Sequence, residues 1–426
     1  MTADKPISGG ATARRNFLKA AVAGAAITGT AGCIGGGGGG DTVRIGNLTS
    51  RSGPYATLGE FATTGAELAV QELNGNDGIG GRDVELVTKD TETDQTTAIQ
   101  RTRELVESEN VDIVSNVISS SVSLAVSSEC ASLGVPYLST INGTELLTGA
   151  DCNEYTFRTN SQAPQAAFAC MKYLVEERDV ESIYIVGSDY AWGQAVQNFT
   201  ERALSDLGLD PNEAIVGSEL VPLDTSDYST QITNASDSGA DVCWSILAGT
   251  PAVQFLSQAG DFGLGEEMLI SGPTINQVDH LRSLGDTAQG VVGGSRWSYS
   301  VDKPRSTEFT QAYLDEHGEL PHVFAAEAYI GVHAFAEAVR AAESPDPESV
   351  IETWPGLTWD TIDNDGTVMR ECDHQAMVPF YITEIVTEDE YDGPYAGESE
   401  AGVYPQVVAE YGEEMFRDCG ETGCNL

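Results

Sequence analysis

Three consecutive serines, Ser119-Ser120-Ser121, stand directly ahead of a helical pattern that runs to Leu133. Hydroxyls and free backbone N–H groups at a helix start can hold a carboxylate or another polar head, because the helix dipole favours negative charge there. The same serines could also serve only as an N-cap. Two aromatic residues, Tyr55 after Pro54 and Trp192, fall in loops at the ends of strand-like runs. Aromatic walls there would supply apolar contact area at low entropic cost. No spacing of a catalytic apparatus is present: there is no Gly-x-Ser-x-Gly elbow and no metal-binding histidine pair. Asp360, Asp363, Asp365 and Gly366 crowd together, but they lack the alternating acids and distal glutamate of an EF-hand and read as a turn. Recognition of a small molecule is therefore expected rather than a reaction, with no cofactor and no metal.

The first forty residues speak to location. Arg14 and Arg15 form a twin-arginine pair, followed by a small-residue apolar run from Ala20 to Ala31, then Cys33 and the glycines Gly35 to Gly40. A basic region, a short apolar region and a small-residue processing site make an export signal. The run is too short to span a bilayer. Its end resembles the lipobox of bacterial and archaeal lipoproteins, which implies a lipid on Cys33 and a flexible glycine tether. The expected location is the outer face of the cell membrane.

The chain carries 21 basic and 66 acidic side chains, a formal charge of −45; removal of residues 1–32 leaves 17 against 65, or −48. Only five lysines occur. Such a field repels nucleic acid and anionic membrane surfaces. The acids are spread along the whole chain rather than gathered in a tail, as expected for a protein adapted to high salt, where self-repulsion is screened. A halophilic archaeal source follows. Besides Cys33 there are seven cysteines, an odd number, so at least one thiol stays unpaired within the chain; Cys419 and Cys424 are close enough to close a small loop.

The elements that must position the candidate residues alternate strand and helix. Strands are expected at 43–48, 83–87, 111–115 and 135–138, with helices at 59–73, 94–108 and 120–133 between them. The rhythm restarts with strands at 182–186, 214–217, 241–247 and 268–270 and helices at 193–207, 225–238 and 251–262. Helices follow at 307–317 and 324–342, then short strands and turns from Pro355. Such alternation predicts an α/β fold with two doubly wound parallel-sheet lobes. A ligand then belongs in the crevice at the carboxyl ends of the strands.

The run from Ile45 to Tyr55 resembles the start of the type I periplasmic binding proteins, more narrowly the branched-chain amino acid and amide receptors of ABC transporters. The likeness continues in Gly65 to Asn74, Gly78-Ile79-Gly80-Gly81-Arg82, Tyr155 to Thr159, Gly187 to Gly193, Val221 to Tyr228, and Asp373-His374-Gln375. It implies a leader and linker at 1–40, an N-lobe at 42–159, a C-lobe at 160–295, a return at 296–355 and a C-lobe completion at 356–426, joined by a three-strand hinge on which the lobes close. It places ligand contacts at Tyr55, at Ser119 and Ser120, at Asn142 and Gly143 in the loop 139–144, and at Tyr190 and Trp192. Gly143 stands where relatives carry a threonine, whose hydroxyl Thr144 could supply instead. In the C-lobe, Ala248 lies near the position of an expected tyrosine, and Thr274 stands where amino acid receptors carry an acid for the ligand ammonium. A buried ammonium without a carboxylate is costly, so amides, urea and small carboxylates join branched-chain amino acids as expected solutes. The resemblance implies a monomeric receptor, not an enzyme, that serves a membrane ABC permease. A sensor for a signalling partner and an exported hydrolase are the alternatives.

Overall fold

A computed structural model describes residues 42–426; Arg14, Arg15 and Cys33 lie outside the described residues. The first sheet is built from β1 (Thr42–Thr49), β2 (Asp83–Asp90), β3 (Ile113–Ser115), β4 (Tyr137–Ser139) and β5 (Thr156–Arg158). All pairs are parallel, in the order β2-β1-β3-β4-β5. The second sheet holds β6 (Ile183–Ser188), β7 (Ile215–Val221), β8 (Val242–Ile246), β9 (Leu269–Gly272) and β10 (Val292–Ser295). A small ribbon, β11 (Thr358–Trp359) with β12 (Thr367–Val368), intervenes before β13 (Phe380–Thr387) and β14 (Val403–Tyr411) complete that second sheet antiparallel, in the order β14-β13-β10-β9-β8-β6-β7. The expected α/β fold with two parallel-sheet lobes is thus observed.

The central strands β6 and β8 are buried throughout, which explains their near-continuous apolar sequence between helix layers. The helix Val323–Ala342 is buried on almost every side and lies along the helix Ala56–Gly75 of the first lobe. The two approach so closely that a Cβ on Gly65 would sit 2.0 Å from the Ala325 carbonyl oxygen.

Several elements differ from the sequence expectation. The helix Ala163–Arg178 follows a stretch that carries no strong alternation; a capping box of Gln162 and Gln165 starts it. The segment expected to be helical over 94–108 is α-helical only to Arg103 and widens to a π-helical turn over Glu104–Ser108, with Leu105 fully buried. The helix expected from 225 begins at Ser229, because Asp227 Oδ1 accepts from the Ser229 amide and holds the preceding residues in a turn. The last strands are not short: β13 and β14 span eight and nine residues. Residues 356–426 divide between the lobes, since Trp359, Ile362, Met369 and Ala376 pack into the first core before β13 enters the second sheet. The aspartates at 360–365 do form a turn: Asp360 Oδ1 accepts from the Gly366 amide, and Arg305 is paired with both Asp360 and Asp365.

The expected small loop closed by Cys419 and Cys424 does not form. Cys424 bonds Cys152 and Cys419 bonds Cys372, because the tail folds back over the first lobe near the hinge. Cys130, Cys170 and Cys243 are free and buried.

One buried contact between lobes pairs a carboxylate with an imidazole. Asp279, in the helix Val278–Leu284, lies 3.3 Å from His322 Nε2. His322 Nδ1 accepts from the Phe324 amide and so caps the helix Val323–Ala342, which leaves the ring proton on Nε2, facing the carboxylate. Burial holds the imidazole below its usual pKa. Burial alone would raise the Asp279 carboxyl, but the imidazoles of His280 and His322 outweigh it and hold the group low.

Cys424→Ser removes a cross-link between residues 272 apart and is expected to lower unfolding stability by about 2–5 kcal/mol in denaturant titration. Because protonated His322 loses its cap and its folded-state pKa is depressed, stability should be complete above an unfolded-state pKa of about 6.5 and decline as pH falls below it. Asp279 adds a second loss at lower pH, since its contribution exists only while it is ionised. Melting curves against pH should show the first decline, and His322→Asn, which keeps a cap acceptor that does not titrate, should flatten it; an unchanged slope would refute the assignment.

Candidate functional site

Four helices begin at the cleft between the sheets, at strand carboxyl ends: Ala56–Gly75, Ser120–Leu133, Ala191–Asp206 and Thr250–Phe262. Their N-cap residues are Tyr55, Ser119, Tyr190 and Gly249, and none of the four receives a side-chain cap. Elsewhere some helices are capped, by Asp94, Asp210 and Asp346, and others, behind Tyr228, Gln277 and Lys303, are not. The four uncapped first turns at the cleft leave backbone donors and the positive dipole ends directed at it.

A cavity of about 30 Å³ lies between the lobes. Tyr55, Ser120 and Gly143 reach it from the first lobe, and Tyr190, Trp192, Ala248 and Thr274 from the second. Seven of the nine expected ligand residues therefore share one wall. Ser119 and Asn142 do not line it. Ser119 is buried at the helix start without acting as a side-chain cap. The Asn142 amide turns into the first lobe, donating to Ser123 Oγ at 2.7 Å and Ser139 Oγ at 2.8 Å, so its role is to brace the loop. Thr144 is likewise committed, its hydroxyl capping the turn Glu145–Thr148. Asp189 is exposed and bound to Gln194.

The walls meet closely. A Cβ on Gly143 would come within 2.6 Å of the Trp192 ring, so glycine is required for the indole to lie against this backbone. Ser121 Oγ accepts from the Ala191 amide at 3.4 Å across the cleft. Tyr55 and Tyr190 stand 6.2 Å apart, and Tyr190 and Trp192 6.1 Å apart, as tilted aromatic pairs. The Tyr55 hydroxyl is buried without a hydrogen-bond partner.

The loop 141–144 is fastened from below. Arg158, wholly buried, donates to the Asn142 carbonyl at 2.6 Å and the Thr144 carbonyl at 2.5 Å. Its backbone pairs with the strand after His374, through Arg158 N to His374 O and Ala376 N to Arg158 O, each at 2.9 Å. The Asp373-His374-Gln375 motif thus sits in the hinge, where Gln375 Nε2 donates to the Asn160 carbonyl at 2.9 Å. The chain crosses between sheets near 159–162, near 296 and near 376–379.

Leu58, Ile118, Ile141, Arg296 and Phe324 also line the cavity and were not among the expected ligand residues. Arg296, at a crossing after β10, is the only charged side chain among the described residues that line the cavity. A lone arginine after Gly293-Gly294-Ser295 carries no periodic signal, and only the fold brings it to the cleft. Among the described residues there is no group of three or more acid, cysteine or histidine side chains that could hold a metal, and no helix is long and apolar enough to cross a membrane.

Comparison with known proteins agrees with this geometry. The family model described as "Periplasmic binding protein" matches residues 42–390. The "Leu/Ile/Val-binding protein homolog 8" of Brucella abortus is 29% identical over 335 residues, covering 74% of this chain and 80% of that protein. The crystal structure of an amino acid ABC transporter substrate-binding protein from Pseudomonas fluorescens Pf-5 superposes with a TM-score of 0.79 at 25% identity, covering 90% of this chain and 98% of that one. A solute-binding protein of an ABC transporter from Rhodopseudomonas palustris BisB5, solved with 3,4-dihydroxybenzoic acid, gives a TM-score of 0.80 at 22% identity over 90% of this chain and all of that one, a likeness of fold. These relatives are solute-binding proteins and not enzymes, and the family is extracytoplasmic. With its two parallel-sheet lobes, crossed hinge and cleft-facing helix starts, the chain belongs to the periplasmic binding protein family.

Proposed function

We propose that this chain is the receptor of an ABC importer, exported through the twin-arginine pair Arg14-Arg15, tethered by a lipid on Cys33 to the outer face of the membrane, and active as a monomer. It takes a small polar solute between its lobes and releases it to the permease. The observation that carries this reading is the interlobe cavity, lined from both sides by aromatic rings and uncapped helix starts. Such a site supplies affinity and closure. The tether keeps released solute near its transporter by raising effective concentration. The dispersed acidic surface, with five lysines in 426 residues, supports a working environment of concentrated salt. The name of the Brucella relative supports branched-chain amino acids, and Thr274, in the place of an acid for the ligand ammonium, adds amides, urea and small carboxylates to the search.

A thermal-shift screen of these classes in concentrated KCl tests the reading. A true ligand at about 100 times its dissociation constant adds about 2.7 kcal/mol of stability by mass action. The same solute should reduce the radius of gyration in small-angle scattering. If no class produces both effects, the receptor reading fails. Gly143→Ala should force Trp192 from the loop and cost about 1–3 kcal/mol of closure, seen as weaker binding with unchanged circular dichroism.

A further inference from the structure

Arg296 is almost wholly removed from water, with 8% of its side chain exposed, yet its guanidinium makes only one aligned hydrogen bond. Its Nε lies 2.8 Å from Glu327 Oε1 but out of line for a hydrogen bond, and neither oxygen of Glu327 has a hydrogen-bond partner. Nη1 donates to the Ile141 carbonyl, and the guanidinium lies 5.3 Å over the Phe324 ring. A planar guanidinium offers five N–H donors and matches carboxylates in a bidentate fork. Uncapped helix starts reinforce the preference for an anion in the same cavity. Tyr55, Leu58, Ile118, Tyr190, Trp192 and Phe324 make the remaining wall largely apolar. No acidic side chain lines it, and the Thr274 hydroxyl is turned to the Leu247 carbonyl at 3.3 Å, so an α-ammonium group would find no counter-charge.

We propose that Arg296 determines specificity in this cleft, and that the solute is a small monocarboxylate with an apolar body and no ammonium group, its carboxylate taken by the Arg296 guanidinium. This rests on the receptor reading and narrows it. Glu327 is the competing anion. Burial pushes its carboxyl up, against the pull of Arg296 and Arg158 and with the added push of Asp363. Protonation of Glu327 frees the guanidinium charge for the solute, and its ionisation restores the competition, so affinity falls as pH rises.

The test is calorimetric titration in concentrated KCl with benzoate, 3-methylbutanoate, benzamide and L-leucine. At least one carboxylate should bind with lobe closure, and its neutral or zwitterionic counterpart about tenfold or more weakly, a difference of about 1.4 kcal/mol. Arg296→Gln should weaken carboxylate binding about 30-fold or more. Because that variant strands Glu327, the double variant Arg296→Gln/Glu327→Gln is measured beside it, with melting curves as the check on folding, and the same loss is expected. Glu327→Gln alone should retain binding and remove the decline with rising pH. The proposal is overturned if L-leucine or benzamide binds more tightly than both acids, or if the double variant binds the carboxylate as the parent does; closure on those solutes would leave the receptor reading standing. If no solute of any class closes the lobes, both fail.

Discussion

The cleft depends on the burial of one cation, Arg158. Its guanidinium, inaccessible to water, is held by the carbonyls of Asn142 and Thr144 and fastens the loop that carries Gly143 to the last strand of the first sheet. Burial lowers its pKa to about 10, still far above neutral pH, so the charge persists and must be met by carbonyl dipoles. The same residue pairs through its backbone with the hinge strand at His374 and Ala376. Phe157 beside it is stacked between Trp354 and His374, with ring centroids 4.6 and 4.3 Å away. Arg158 therefore ties loop, sheet edge and hinge together, and this fixes the loop that places Gly143 under Trp192.

Four helix starts at strand carboxyl ends face the cleft without side-chain caps. A side-chain N-cap is worth about 1 kcal/mol; Asp94, Asp210 and Asp346 provide one at other helix starts and His322 provides one beside the cavity, whereas Tyr228, Gln277 and Lys303 provide none. At Ser119 a residue suited to capping stands in place and does not cap. The position of the four cleft-facing starts at strand carboxyl ends is the general location of binding sites in open α/β sheets.

Much of this was legible in the sequence. The strand–helix alternation from Val43 to Ile270 is a local property of apolar spacing, and it specified the two lobes. Tyr55, Ser120, Gly143, Tyr190, Trp192, Ala248 and Thr274 meet at one cavity because each follows a strand, a relation visible along the chain. What stayed hidden depends on distant parts. The direction of the Asn142 amide is decided by Ser123 and Ser139. The partner of Cys424 lies 272 residues away, and chain spacing favoured its neighbour Cys419 instead. The helix Ala163–Arg178 is buried on much of its surface, so its composition lacks the polar stripe that marks an exposed helix.

The acidic composition sharpens the meaning of the two buried arginines. With a formal charge of −45, the protein's long-range field opposes any anionic solute. In concentrated salt this field is confined to about 3 Å, the Debye length near 1 M. Surface repulsion then has little effect on approach, and what an anion experiences is decided by groups it touches. Of only 21 basic residues, one anchors the ligand loop from behind and another stands on the cavity wall, both where water is excluded and electrostatic interactions are screened least. In concentrated salt an acidic exterior is thus compatible with charge recognition inside the cleft, because the two act at different distances.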